Sequence, residues 1–395
     1  MNGLATEKVA NGSRAHIVGW GMAVPERVLD NHGLSALVDT SDEWIRQRTG
    51  IVERHIAGDG ETTLSLSLRA AQSALEVANL DPAQLDLVVV ATVTPDYAFP
   101  ATACLLQDAL GAEHAAAFDL SAGCSGFVYG LSVAADLIAA GNYRHCLVVG
   151  AETLSRITDW SDRNTCVLFG DGAGAVILEA NGASGGILSS VLGADGSGKD
   201  LLILPAGGSA QPASAETVQA RQHTVQMDGR QVFRFATRIM PDASRQVLSQ
   251  AGLAVEDVSL IIPHQANDRI LQSAARSLGI EETRIYSNLS RYGNTSSASI
   301  PMALCEAIEQ DLVKRDDILL LTGFGAGLTW AAMVLRWSLP LPVPVPPRRM
   351  TFWRNLRYRW VQLRSRWRRF WRRVDAHLFQ ILYDAEGRRK RGKGD

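Results

Sequence analysis

Cysteine is scarce in this chain, with five among 395 residues. The five are widely separated and odd in number, and no CxxC pair or histidine-spaced metal pattern accompanies them. These features exclude a disulfide-stapled protein and give no support to a zinc-binding one. We therefore expect free thiols in a reducing cytoplasm and no metal site.

Long apolar runs are also missing. No stretch reaches the roughly 18 uninterrupted apolar residues of a membrane span. The first 20 residues are polar and contain glycine, without the basic start, apolar run and cleavage site of a signal peptide. The composition, 46% hydrophobic and 20% charged, excludes disordered and collagen-like proteins. We expect a globular protein of two or three domains, or one large duplicated domain.

Charge is unevenly distributed along the chain, although the net value is only −2. Residues 348–395 contain 16 of the 39 Lys and Arg residues and 4 of the 41 Asp and Glu residues. The tail therefore carries about +12 and the rest of the chain about −14.

Apolar strand-like runs alternate with helical stretches, which predicts a layered α/β protein. Residues 78–89 match residues 251–262 at a constant offset of 173, and the glycine run 170–174 echoes 323–327 at an offset of 153. The order of these matches indicates an internal duplication with halves 14–180 and 181–338, after an N-terminal extension 1–13. Chance similarity between α/β segments is the alternative.

The composition changes abruptly after Trp337. Five prolines between 340 and 347 predict a semi-rigid linker over 339–349. Beyond it, large apolar residues recur every three or four positions among arginines, which predicts a basic amphipathic helix in the tail 350–395.

Cys124 is the first candidate for chemistry. It follows the strand-like residues 116–120 and precedes the helical residues 127–140. A thiol at a helix N-terminus feels the positive end of the helix dipole, which favours the thiolate and lowers the thiol pKa. An inert buried thiol is the alternative, and it is the expected state of the other four cysteines.

Two polar side chains on other loops complete a possible site. His264 follows the strand-like residues 260–262, at the type of strand end where α/β sites gather. Asn294 lies in a polar turn ahead of the helical residues 299–309. Each alone fits a structural role, but a thiol, an imidazole and an amide together match thioester chemistry. The two glycine runs lack the Lys-Ser/Thr ending of a phosphate loop, and tight turns are predicted for both.

Seven motifs occur together in this sequence. They are DTSDEWIRQRTGI (39–51), TPDYAFPATAC (94–104), GCSGFVYGL (123–131), FGDGAGA (169–175), PHQAN (263–267), RYGNTSSASIP (291–301) and GFGAGLTW (323–330). In residues and order they closely resemble the β-ketoacyl-acyl carrier protein synthase III family over residues 14–338. The resemblance implies a thiolase fold, with two duplicated βαβαβ-type halves forming a five-layered αβαβα core.

The implied activity is decarboxylative condensation of an acyl-coenzyme A, acetyl or another short acyl, with malonyl-acyl carrier protein to initiate fatty-acid synthesis. Cys124 would be the acylated nucleophile, and His264 and Asn294 would complete the catalytic set. The backbone N–H groups of Cys124 and Ala326 would form the oxyanion hole. No metal or cofactor is implied. The alternative is a starter-specific enzyme of polyketide or specialised lipid synthesis.

The resemblance also assigns binding residues. Trp44, Arg48, Arg163 and Asn267 would contact coenzyme A, and Phe324 would lie near the malonyl carboxylate. Phe99 would reach into the acyl pocket of the partner in a homodimer.

Arg269 and Arg234 resemble the basic patch that receives the acidic carrier protein, with ordinary helix-face arginines as the alternative.

The tail departs from the family pattern, which ends near Trp337. Our leading hypothesis is that residues 350–383 bind an anionic membrane surface of the cytoplasm, because tryptophan and arginine both suit that interface. Docking of a carrier protein or another enzyme, and self-association as a coiled coil, are the alternatives. Nucleic-acid binding has the least support.

Overall fold

The structure is a computed structural model. It describes residues 14–182 and 184–339, and within the tail positions 360, 361, 363–365, 367, 368, 370–372, 374–376 and 379. The N-terminal extension 1–13 and all of the proline-rich linker except Leu339 lie outside the described residues.

The helices and strands of the described residues alternate along much of the chain. The strands are β1 (Arg14–Ala23), β2 (Val28–Asp30), β3 (Glu53–His55), β4 (Leu87–Ala91), β5 (Ala116–Leu120), β6 (His145–Thr153), β7 (Asp171–Asn181), β8 (Gly186–Ala194), β9 (Leu202–Ile203), β10 (Gln226–Met227), β11 (Leu260–Pro263), β12 (Ile318–Gly325) and β13 (Thr329–Arg336). The α-helices are α1 (Asn31–Ser35), α2 (Asp42–Thr49), α3 (Thr63–Val77), α4 (Thr102–Leu110), α5 (Gly126–Ala139), α6 (Ala215–Gln219), α7 (Gly229–Gln250), α8 (Asp268–Leu278), α9 (Leu289–Tyr292) and α10 (Ser299–Glu309).

Two sheets form the framework, and they share one topology. The first has the order β1-β7-β6-β4-β5, and the second, read from its other edge, has the order β8-β13-β12-β11. In both sheets the last strands named pair in parallel and the others pair antiparallel. A parallel bridge between Ile261 and Ile285 stands where the second sheet would have its counterpart of β5. This correspondence supports an internal duplication, and the boundary between residues 180 and 181 remains our proposal.

Helices cover both faces of each sheet. Helices α3 and α4 pack on the outer face of the first sheet, α5 and α10 lie between the sheets, and α7 and α8 cover the second sheet. The fold is therefore the predicted five-layered αβαβα arrangement. Burial on both faces explains why β4 reads Leu-Val-Val-Val-Ala without alternation.

The structure corrects two expectations about the glycine runs, the turn at the first run and the equivalence of the two runs. Residues 170–174 enter strand β7 and form no tight turn, whereas residues 323–325 end strand β12 and a tight turn follows at 326–328. Since β7 corresponds to β13 and not to β12, these runs are not equivalent positions of the two halves. Close packing explains the first run, because a Cβ on Gly174 would lie 2.6 Å from the Cβ of Pro301.

The described positions between 360 and 376 are helical. Among the helices of the described residues, none combines the length and apolar character needed to cross a membrane.

Candidate active site

Cys124 lies between strand β5 and helix α5, in a short 3-10 turn over Gly123–Ser125. The loop that contains Gly325 and Ala326 contacts the Cys124 backbone directly. A Cβ on Gly325 would lie 2.4 Å from the Cys124 nitrogen, and one on Gly123 would lie 2.8 Å from the Ala326 nitrogen. Only glycine at both positions allows the Cys124 turn and the Ala326 turn to meet.

Burial decides the ionisation of this thiol. Cys124 is 8% exposed, and burial raises its pKa to about 12, although the nearby Ser296 side chain acts in the opposite direction. The expectation of a lowered thiol pKa at the helix N-terminus is therefore wrong, because burial disfavours the charged thiolate.

His264 follows strand β11 and is held from two sides. Its backbone N–H donates to the Thr322 carbonyl at 2.8 Å, and its ring lies edge-on to Phe324 with 5.4 Å between the ring centroids. The residue is 1% exposed, and burial lowers its pKa to about 3. The imidazole is therefore neutral at physiological pH and has one proton on one of its two ring nitrogens.

Ser299 determines which nitrogen of His264 faces the substrate. The Ser299 hydroxyl lies 2.7 Å from His264 Nδ1, so Nε2 is the nitrogen left for the cavity. The same hydroxyl donates to the Ser296 carbonyl at 2.7 Å. Ser299 is thereby held in place and in turn fixes the orientation of the imidazole ring.

Asn294 is fixed by its own turn. Its side-chain Oδ1 accepts the backbone N–H of Ser296 at 2.8 Å. Its backbone N–H donates to the Leu168 carbonyl, and its carbonyl accepts the N–H of Gly170, just before strand β7. With Oδ1 occupied, the amide presents its Nδ2 donors to the cavity. Asn294 and His264 can thus both donate to one oxygen atom.

One cavity of about 1040 Å³ joins the three predicted catalytic residues, Cys124, His264 and Asn294. Phe324 and Gly325 also line it. The structure thus brings together side chains from three loops separated by up to 170 positions in the sequence.

Trp44 and Arg48 line the outer part of the cavity, as does Asn267, whose side chain donates to the Arg48 carbonyl at 3.0 Å. The guanidinium of Arg163 lies over the Trp44 ring, 4.5 Å from its centroid, and that of Arg48 lies at 5.6 Å. An aromatic ring beside two cations is suited to a base and its phosphates.

Basic residues surround the mouth. Arg234 and Arg269, both predicted, are exposed and line it. Arg230, one turn before Arg234 on α7, is a third exposed arginine of the mouth and was missed. A single sequence offered no signal that separated it from other arginines of an amphipathic helix.

Three of the predicted residues do not line this cavity. Phe99 lies outside it and is 86% exposed, and Ala326 contributes backbone beside Gly123 rather than lining surface. Arg163 lies over the Trp44 ring without lining the cavity itself.

Glu152 is a further residue that sequence reasoning missed. It is fully buried, and it accepts hydrogen bonds from the Thr94 hydroxyl at 2.6 Å and the Ser297 hydroxyl at 2.9 Å. Burial raises the pKa of this carboxyl. Since Ser297 adjoins Ser296, Glu152 supports the turn behind Cys124.

The chain is similar to known proteins over most of its length. The family model for 3-oxoacyl-(acyl-carrier-protein) synthase III matches residues 118–196, and the model for the C-terminal part of that enzyme matches 248–337. The β-ketoacyl-acyl carrier protein synthase III of Caldanaerobacter subterraneus subsp. tengcongensis is 53% identical over 332 residues, which are 84% of this chain and 99% of the relative. That of Symbiobacterium thermophilum is 55% identical over 322 residues, 82% of this chain and 98% of the relative.

The chain belongs to the β-ketoacyl-acyl carrier protein synthase III family. It is accordingly a condensing acyltransferase of the thiolase fold. The synthase III structure from Aquifex aeolicus VF5 has a TM-score of 0.76 and 47% identity, covering 82% of this chain and all of that one. The priming β-ketosynthase of the R1128 polyketide pathway has a TM-score of 0.78 but 37% identity. The match covers 84% of this chain and 99% of that chain. The higher identity to the synthases III favours fatty-acid initiation over a specialised starter role.

Proposed function

We propose that Cys124, His264 and Asn294 carry out the reaction of this enzyme, the decarboxylative condensation of an acyl-coenzyme A with malonyl-acyl carrier protein that begins fatty-acid synthesis. The observation that supports these roles is the meeting of one thiol, one neutral imidazole and one oriented amide in a single cavity.

In the first half-reaction, the Cys124 sulfur attacks the acyl carbonyl and the bond to the coenzyme A sulfur breaks. The thiol proton goes to the departing coenzyme A thiolate. Since burial disfavours the free thiolate, substrate binding and proton loss have to be coupled. The backbone N–H groups of Cys124 and Ala326, on turns in contact, stabilise the tetrahedral oxyanion, at about 3 kcal/mol per donor.

In the second half-reaction, malonyl-acyl carrier protein replaces coenzyme A. The Ser299 hydroxyl turns from the Ser296 carbonyl to donate to His264 Nδ1, which places the imidazole proton on Nε2. His264 Nε2–H and Asn294 Nδ2–H then donate to the malonyl thioester oxygen as carbon dioxide leaves and the enolate forms.

The apolar ring of Phe324 beside His264 disfavours the charged carboxylate and assists its loss. The enolate carbon attacks the acyl group on Cys124, and the released thiolate regains its proton from solvent. Loss of carbon dioxide supplies the carbanion, so these steps use no metal or cofactor.

The outer cavity residues bind the carriers of the two thioesters. Trp44 stacks on the adenine of coenzyme A, while Arg48 and Arg163 neutralise its phosphates and Asn267 holds the Arg48 segment. The exposed arginines 234 and 269 at the mouth receive the acidic carrier protein, whose charge steers its approach.

The enzyme acts as a homodimer in this proposal. Strand β5 is an edge of the first sheet, and Phe118 on it is 37% exposed. Phe99 and Tyr97, on the loop before α4, are 86% and 60% exposed. A second copy covering this edge would bury all three side chains and bring Phe99 to the acyl pocket of its partner. The measurement is sedimentation velocity, in which Phe99→Asp should weaken the dimer.

We place the reaction in the cytoplasm, with residues 350–383 at an anionic membrane surface. The tail charge of about +12 supports this position, since basic segments are attracted to anionic lipid.

The test of the catalytic proposal is intact-protein mass after incubation with acetyl-, isobutyryl- and longer acyl-coenzyme A. We expect a stable mass gain of one acyl group, which Cys124→Ala abolishes. The exposed Cys104 provides a matched control, because Cys104→Ala should acylate like the wild type. Acylation that persists in Cys124→Ala, or no gain with any donor in folded protein, would contradict the assignment.

A further inference from the structure

The tail helix contacts the body through its polar face. Val361 and Ser365, one turn apart, are 7% and 8% exposed. Val361 packs on Gly111, which ends helix α4, and a Cβ on that glycine would lie 2.9 Å from a Val361 methyl group. The Ser365 hydroxyl bonds to Asp108 on the last turn of α4.

Ion pairs complete the contact between the tail helix and the end of α4, where we call the acidic residues Asp108 and Glu113 the acidic seat. Glu113, just beyond α4, pairs with Arg364 and, at 3.3 Å, with Arg368. Arg372 continues the same helix face and lines the same small cavity beside Asp108 and Glu113. Among the described residues of the tail, the contact with the body is thus mainly polar and charged, and Val361 is its apolar residue.

A different face of the tail helix carries its large apolar side chains into solvent. Trp360, Leu363, Trp367, Phe370 and Trp371 are 63%, 62%, 64%, 58% and 49% exposed. Trp371 lies edge-on to both Trp367 and Phe370, with centroid distances of 5.6 and 5.9 Å. These five residues form one aromatic ridge. An amphipathic helix with no other binding role would bury this ridge against the protein instead.

We infer that the aromatic ridge inserts into an anionic lipid surface while Glu113 and Asp108 hold the other face of the helix on α4. The inference deepens the membrane position of the proposed function, on which it rests, by naming the inserting residues and the acidic seat. Tryptophan and phenylalanine suit the boundary between headgroups and acyl chains, and the basic tail is attracted to anionic headgroups.

Charge argues against the other occupants of the ridge. A second copy would bring two tails of about +12 each together, and their repulsion opposes association. A nucleic acid would need unpaired cations beside the aromatic rings. The guanidinium of Arg364 lies 5.8 Å from the centroid of the Trp360 ring, but Arg364 and Arg368 are both paired with Glu113.

The test is co-sedimentation of the full chain with phosphatidylglycerol and phosphatidylcholine vesicles. We expect binding to phosphatidylglycerol vesicles and little binding to phosphatidylcholine vesicles. In the variant W360S/L363S/W367S/F370S, binding should fall by about a hundredfold or more, because burial of one large apolar side chain is alone worth about tenfold in partition. The matched control L37S/V218S/L312S removes exposed apolar side chains from the body and should bind like the wild type.

The seat has its own measurement. Glu113→Gln should leave vesicle binding in place but speed tryptic cleavage after Arg364 and Arg368, because both arginines lose their carboxylate partner. An unchanged cleavage rate would overturn the acidic seat.

Other results would overturn the aromatic ridge. Equal binding by the ridge variant and the wild type would do so, and so would equal binding to both lipids. Sedimentation of the wild type without vesicles, lost in the ridge variant, would indicate self-association instead. Binding of soluble acyl carrier protein that depends on the ridge, without lipid binding, would also overturn it. Acylation of Cys124 by acetyl-coenzyme A, measured on the same variants, reports the catalytic proposal separately, since the ridge is remote from Cys124 in sequence and lines no part of the active-site cavity.

Discussion

Replacing Ser299 with alanine should impair condensation more than acylation. In the structure the Ser299 hydroxyl donates to the Ser296 carbonyl and lies 2.7 Å from His264 Nδ1, to which it turns in the proposed second half-reaction. A bond from the hydroxyl to Nδ1 favours the tautomer with the proton on Nε2, the donor in the proposed enolate step. In Ser299→Ala the neutral imidazole loses that bias.

The magnitude follows from the value of one buried hydrogen bond, about 1 kcal/mol, which corresponds to roughly a fivefold change in the tautomer ratio. If His264 then loses its donor role altogether, the loss approaches the hundredfold or more seen when one oxyanion donor is removed. We therefore expect condensation to fall between about fivefold and a hundredfold. Unfolding free energy should fall by about 1 kcal/mol.

The assay separates the two half-reactions. Intact mass gives the rate of Cys124 acylation, and carbon dioxide release from malonyl-acyl carrier protein gives the second step. Ser244→Ala is the matched control, because Ser244 is a fully buried helix serine that bonds to a backbone carbonyl, Met240, without a histidine partner. It should lose similar stability with both rates intact. The tautomer reasoning is wrong if Ser299→Ala slows acylation as much as condensation, or slows neither.

Three further outcomes are expected. Burial lowers the pKa of His264 from 6.5 to about 3, so below pH 6.5 the unfolded chain takes up a proton there that the folded chain does not. The free energy of unfolding should therefore decrease as the pH is lowered below 6.5, by up to about 1.4 kcal/mol per pH unit, until the pH approaches the folded-state pKa. Between pH 7 and pH 5, urea unfolding should show a smaller loss of stability in His264→Gln than in the wild type. Gly325→Ala should abolish acylation, because the new Cβ would lie 2.4 Å from the Cys124 nitrogen, whereas Gly208→Ala, with open space around it, should acylate normally in the mass assay. Trp44→Ala should raise the KM for acyl-coenzyme A by about tenfold with a smaller change in kcat, as steady-state kinetics would show; an unchanged KM would exclude adenine stacking on this ring.

Local sequence patterns were enough to predict the α/β architecture and the central candidate residues of the site. Cys124, His264 and Asn294 each lie where a strand or turn meets a helix, so the sequence pattern around each residue places it at an element end. The first repeat, at an offset of 173, predicted the duplication because it matched equivalent strands, β4 and β11. The second did not, because similar glycine runs serve different packing needs in β7 and β12.

Contacts between distant residues decided the rest. Ser299 beside His264, Glu152 behind the Ser297 turn and Gly325 against Cys124 join residues 35, 145 and 201 positions apart, and no local pattern encodes such pairs. Burial is likewise a property of the packed molecule, which is why the sequence suggested a lowered thiol pKa and the fold raised it. The sequence by itself determined which side chains we propose for the chemistry and that the tail is basic and amphipathic. Only the tertiary structure decided their protonation and which face of the tail helix points outward, because both depend on what packs around them.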